Sequence, residues 1–172
     1  MGTRCLTTVH SRWDEDSAWE CHAVIYRHWD GYPDEHGATL FKFLEGARVT
    51  NGVLMGDEHP KSFNGPGRLA ACLVYFMQDE GHEPDLMPEV HDCGQEYHYD
   101  VRVDRNQGSV PFRNQDASIE VVVYSGPVAM GYSIWPSPRT SRSASGGDLS
   151  DDEEFRGTIE AYGEWLDGAR QA

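Results

Sequence analysis

EYHYDVRVD, residues 96–104, is the stretch on which the fold turns. Its side chains alternate: Tyr97, Tyr99, Val101 and Val103 share one face, and Glu96, His98, Asp100 and Arg102 the other. A period of two in a run of aromatic and β-branched residues specifies a strand with one apolar face. Beyond the loop RNQGSVPFRNQDA (105–117), SIEVVVYSG (118–126) aligns Ile119, Val121 and Val123 in the same way. Toward the N-terminus, LTTVH (6–10) and WECHAVIY (19–26) also have strand composition. They read as an antiparallel pair joined by the charged segment SRWDEDSA, longer than a tight hairpin. In the second of them Trp19, Cys21, Ala23 and Ile25 fall on one face, and His22, Val24, Tyr26 and His28 on the other. Apolar groups on both faces imply an inner strand.

Two helices are predicted between these strand pairs. Ala38, Leu40, Phe41 and Leu44 supply the apolar face of a short one that ends near Gly46. In NGPGRLAACLVYFMQDEG (64–81), Leu69, Cys72, Leu73, Phe76 and Met77 recur at helical spacing, Pro66 suits the first turn and Gly81 the C-terminal cap. The expected class is therefore α+β: a mainly antiparallel sheet with two helices packed on one face, plus a C-terminal amphipathic helix. A single domain is expected over residues 1–134, and WPSPRTSRSASGGD (135–148) reads as a flexible linker. Residues 149–172 read as an acidic amphipathic helix. Ser150 and Glu153 suggest a capping box, and Phe155, Ile159, Tyr162, Trp165 and Leu166 form a stripe. Packing of that stripe back on the domain is the preferred expectation. A homo-oligomer or a protein partner docked through 149–172 is the alternative.

Composition narrows the function classes. The chain has 172 residues, 38% of them hydrophobic, enough for one core. Its formal charge of −15 opposes a phosphate backbone, so non-specific nucleic-acid binding is not expected. No run approaches the ~20 apolar residues of a membrane helix, and the N-terminal segment lacks the apolar core of a signal peptide; no membrane association and a cytoplasmic location are expected. Cys5, Cys21, Cys72 and Cys93 show no CxxC or zinc-ribbon spacing and read as buried free thiols, none standing out as activated.

The chemistry-bearing stretch is YRHWDGYPDEHG, residues 26–37, at the mouth of the second strand. Arg27 offers a fork of donors for phosphate or carboxylate, His28 a proton near neutral pH, Trp29 and Tyr32 flat faces for a base or sugar, and Asp30 an acceptor. Core plugging and turn packing explain any one of these residues taken alone; the cluster together suggests a site. A second cluster, His91, Asp92, Glu96 and His98, would join His28 and Asp30 if its strand lay beside theirs. No HxH or HExxH spacing supports a metal, and GxSxG, Walker A and Rossmann signatures are absent.

YRHWDGYP (26–33), His36-Gly37, Phe43-Leu44 and the later EYHY preceded by His91 resemble an uncharacterised family of short phage and bacterial proteins with a downstream HGDIEYLY-like strand. This chain has one more residue between that histidine and glutamate. The resemblance covers roughly residues 20–125 and implies a phage or prophage-like context, with no activity attached. The leading expectation is a small binding protein whose pocket of Arg27, His28, Trp29, Asp30, Tyr32 and Glu96 takes a phosphorylated or nucleotide-like ligand. Alternatives are a hydrolase or phosphodiesterase with His28 and His91 as acid and base, and an acidic interaction protein that inhibits a host factor. Any cofactor is unknown at this stage.

Overall fold

The computed structural model describes residues 2–13, 16–50, 61–105, 117–126 and 153–169. The linker expected at 135–148 and Ser150 of the capping box lie outside these residues, as does most of the 105–117 loop. In chain order the elements are β1 (Cys5–Arg12), β2 (Glu20–Arg27), α1 (Ala38–Leu44), β3 (Arg48–Thr50), β4 (Ser62–Asn64), α2 (Pro66–Asp79), β5 (Asp85–Met87), β6 (Tyr97–Asp104), β7 (Ser118–Ser125), β8 (Glu153–Thr158) and α3 (Ile159–Ala169). The main sheet runs β5-β2-β1-β6-β7-β8, and β3-β4 is a separate parallel pair. All pairings in the main sheet are antiparallel except β1 with β6. The architecture is α+β with a mostly antiparallel sheet.

All three helices lie on one face of the sheet. Val9, Ile25, Tyr99, Val101, Val103, Ile119, Val121 and Val123 meet Leu40 and Leu44 of α1, Leu69, Leu73 and Met77 of α2, and Ile159, Tyr162 and Leu166 of α3. Pro66 opens α2, and Gly81 follows its end at φ 84, as the spacing predicts. The wholly buried residues of α2, Leu69, Leu73 and Met77, are spaced four apart, so a single helical stripe meets the sheet. Each contributes roughly 1.5–3 kcal/mol by burial, an upper figure because the unfolded chain already hides some of that surface.

Two expectations change. The tail is not helical from residue 149: Glu153–Thr158 is a strand paired with β7, and helix begins only at Ile159. The free edge of β7 offers a row of unpaired amides, and Gly157 is a poor helix former, so edge pairing prevails over the local periodicity. The aromatic stripe survives across the junction, with Phe155, Tyr162 and Trp165 ring centroids 5.3–5.8 Å apart. It packs back on the domain. The second change is in β2, where a bulge opposite Val9 and His10 skips His22. Alternation slips by one, so Cys21 leaves the face of Ala23 and Ile25 and joins a smaller cluster with Leu6, Val24 and Tyr26 on the face away from the helices.

Candidate functional site

β2 carries Arg27 out of the core, and the next three residues form a turn that crosses the start of β1. Gly31 makes this crossing possible. Its N–H donates to the Thr3 carbonyl at 2.9 Å, and its own carbonyl accepts from the Tyr99 hydroxyl at 2.9 Å. A Cβ on Gly31 would stand 2.8 Å from the Arg4 carbonyl carbon and 2.9 Å from Cys5 Cβ. Gly31→Ala is therefore expected to destabilise the fold by about 1–3 kcal/mol, because rigid neighbours must move. Urea denaturation measures this, and an unchanged midpoint would contradict the packing account. Asp30, just before it, sits at φ 58, a left-handed conformation that acidic side chains tolerate better than most. The chain then makes one π-type turn over Pro33–Gly37, which buries His36, and enters α1.

Arg27 organises what lies beneath. Only 4% exposed, its guanidinium donates to His36 Nδ1 at 2.8 Å and to His82 Nδ1 at 3.0 Å. A guanidinium has no acceptor, so both rings carry their proton on Nε2. His36 passes its Nε2–H to Thr7 Oγ1 at 2.6 Å, and His82 passes its own to Thr39 Oγ1 at 3.3 Å. The Thr39 hydroxyl in turn donates to the Glu35 carbonyl at 3.0 Å. Burial first, then the Arg27 charge, hold His36 well below the ordinary histidine range and lower His82 as well. Among the described residues, no carboxylate lies within ion-pair distance of Arg27. A buried cation whose only identified partners are two neutral imidazoles is electrostatically incomplete.

A cleft of about 170 Å³ opens here, lined by Arg27, His28, Trp29, Asp30, Gly81, His82 and Glu83. Trp29 is 64% exposed. Across the sheet edge from β5, Asp85 Oδ2 lies 3.5 Å from His28 Nε2, and the Tyr26 hydroxyl lies 3.4 Å from its Nδ1. The arrangement offers guanidinium and imidazole donors to an anion, an indole face, and the acids Asp30 and Glu83 as acceptors. Its volume is small against the roughly 300–1,000 Å³ of most ligand pockets.

Arg27, His28, Trp29 and Asp30 thus line one cleft. Tyr32, Glu96 and His91 do not: Tyr32 sits edge-on to Tyr97 at 6.1 Å between centroids, Glu96 is exposed at the start of β6, and His91 is exposed with Nδ1 3.3 Å from the Glu89 carbonyl. The reason is topological. β1 stands between β2 and β6, so the 89–99 segment meets β1 instead of the strand that leads to His28. The sequence reading missed His82 and Glu83, which follow the Gly81 cap. The signal was there in GHE directly after a helix stop, a place where a chain turns back over a sheet edge.

The central pairing of β1 and β6 creates a second polar array on the helix-free face. Thr8, His10, His98 and Asp100 are all buried. Asp100 Oδ1 accepts from His10 Nδ1 at 2.6 Å and from the Thr8 hydroxyl at 3.0 Å, while Oδ2 accepts from Arg102 Nε at 2.7 Å. Thr8 Oγ1 takes the Nε2–H of His98 at 2.8 Å, and Arg102 also reaches the Tyr124 hydroxyl at 3.0 Å. Burial alone would raise Asp100, but the hydrogen bond and charge of His10, with Arg102, hold it well below the carboxylate range. Burial likewise opposes the His10 charge, and Asp100 reverses this, lifting His10 to about 9. His98 has no such carboxylate bond, and burial lowers it to about 4.

No grouping of histidine, cysteine and acidic side chains among the described residues could hold a metal ion, and no described helix is long and apolar enough to cross a membrane. Comparison of the chain with protein-family models, with curated proteins and with solved structures finds no match.

Proposed function

We propose that this protein binds a small phosphorylated or nucleotide-like ligand in the cleft built on Arg27. One observation carries the reading: a guanidinium almost withdrawn from solvent, held by two neutral imidazoles and facing a cleft without a described carboxylate paired to it. An anionic ligand completes that charge, and the exposed Trp29 stacks on a flat group attached to it. His28 adds a donor to the anion, while Asp30 and Glu83 accept from hydroxyl or amino groups. The net charge of −15 makes such a concentrated cationic point selective for small anions over polyanions. Thermal shifts with inorganic phosphate, nucleoside monophosphates and cyclic nucleotides, against matched non-phosphorylated nucleosides, test the reading. Stabilisation by phosphorylated members alone is expected, and equal response to both sets would sink it.

The imidazole of His28 on the cleft also supports a second reading, phosphodiester hydrolysis. His28 serves as acid or base, and His91, first paired with it, lies away from the cleft. Turnover of a bound phosphodiester, lost in His28→Ala with the fold intact, distinguishes catalysis from binding. The acidic-partner reading keeps its acidic surface but not the apolar stripe of the tail, since Ile159, Tyr162 and Leu166 are buried in the chain's own core.

A further inference from the structure

On the face turned away from α1, α2 and α3 one polar nitrogen is left out of the network. Asp100 takes His10 Nδ1–H at 2.6 Å, but His10 Nε2 is buried with no hydrogen-bond partner among the described residues, in a side chain only 1% exposed. The bulge that moves Cys21 to this face sets it directly opposite His10 in the β1/β2 register. After Asp100, Cys21 is the next group whose nearness favours the protonated His10 ring. Since Asp100 occupies Nδ1, the nitrogen open to the sulfur is Nε2. The thiol itself is turned toward the Ala23 carbonyl at 3.6 Å, a long contact for a weak donor. A carboxylate that fixes an imidazolium, and an imidazolium N–H set beside a thiol, give a nucleophile an acid partner and an orienting group.

Cys21 is only partly buried, and its other neighbours are apolar: Leu6, Val24 and Tyr26. Two of the other thiols are unlike it. Cys5 is wholly enclosed and pushed up to about 12 by burial, and Cys93 is raised by burial and by Asp92. Cys72, on α2 and partly buried, serves as an internal reference.

We propose that Cys21, His10 and Asp100 form a second, reactive site, independent of the Arg27 cleft, that captures small apolar α,β-unsaturated carbonyl compounds. In the paired arrangement His10 presents its Nε2–H to the Cys21 sulfur, and the S–H proton leaves as the sulfur attacks. The sulfur bonds to the β-carbon, the π electrons pass to the carbonyl as an enolate, and Nε2–H delivers its proton to the α-carbon. The proton released by the thiol restores Nε2–H, so net addition of S–H across the double bond needs no co-reactant and leaves His10 as it began.

N-Ethylmaleimide is the probe, with modification at each cysteine followed by peptide mass spectrometry on the full chain. Cys21 is expected to react about tenfold or more faster than Cys72 in the native protein, and faster than Cys21 itself in urea. Accessibility alone cannot give the second result, because unfolding exposes every thiol. Asp100→Asn and His10→Gln, where near-ultraviolet circular dichroism shows them folded, are expected to slow Cys21 and leave Cys72 unchanged. A native Cys21 no faster than Cys72, or no faster than in urea, overturns the proposal whatever the variants do. So does a Cys21 rate unmoved in both folded variants.

Discussion

Asp100→Ala is expected to lower the unfolding free energy by about 3–5 kcal/mol, the usual cost of removing one partner from a buried charge pair. The carboxylate collects hydrogen bonds from Thr8, His10 and Arg102, so its loss strands three donors inside the protein, one of them on a charged imidazole. Urea denaturation at pH 7 measures this, and a loss under about 1 kcal/mol would mean the array is no more than a solvated surface pair.

The same array shapes the pH dependence. His10 binds its proton more tightly in the folded chain, with about 9 against an ordinary 6.5. Its contribution is complete below pH 6.5 and is lost as pH rises toward 9. His98, lowered to about 4, acts in the opposite sense: the unfolded chain takes up its proton first, so stability falls as pH drops from 6.5 toward 4. His36 adds to this acid limb, and Asp100 adds more below 3.8. Stability is expected to peak near pH 6.5, and Asp100→Ala to flatten the alkaline limb, because His10 loses the carboxylate that raised it. Urea midpoints from pH 4 to 10 give the curve; an alkaline limb of equal slope in the variant would remove His10 from the account.

Arg27→Met is expected to weaken binding of a nucleoside monophosphate by about 10- to 100-fold while the chain stays folded. A hydrogen bond to a charged group is worth about 1.5–3 kcal/mol, and 1.4 kcal/mol is a factor of ten in Kd. Methionine fills similar volume and leaves no unpaired charge, and the stranded Nδ1 acceptors of His36 and His82 are expected to cost about 1–3 kcal/mol of stability. Arg27→Lys keeps the charge without the fork that spans two acceptors, so an intermediate loss is expected. Calorimetric titration of the three proteins checks the order. Equal affinity for the wild type and Arg27→Met would show that the anion is held elsewhere in the cleft or not at all.

Much of the fold was legible because it rests on local periodicity. The alternation in Tyr97–Asp104 and Ser118–Ser125, and the four-residue spacing of Leu69, Leu73 and Met77, each name an element and its buried face. Four of the cleft residues were legible for a related reason. Arg27, His28, Trp29 and Asp30 are consecutive, so one strand end delivers them together whatever else the chain does.

What was not legible depends on partners far apart in sequence. Nothing local says that β1 pairs in parallel with β6, yet that pairing removes His91 and Glu96 from the neighbourhood of His28 and brings His10 to Asp100, 90 residues away. Nor does EEFRGT announce a strand; the unpaired edge of β7 makes it one. The face Cys21 occupies was misread for the same reason, since a bulge is a mismatch between two strands and one strand's alternation cannot reveal it. The sequence by itself determined the four long strands and the two helices between them, most of their apolar faces, and that one strand end is crowded with donors and rings. Tertiary structure alone decided which polar groups are buried together and which charges lack a partner, because desolvation and pairing act through space and only the packed sheet sets those distances.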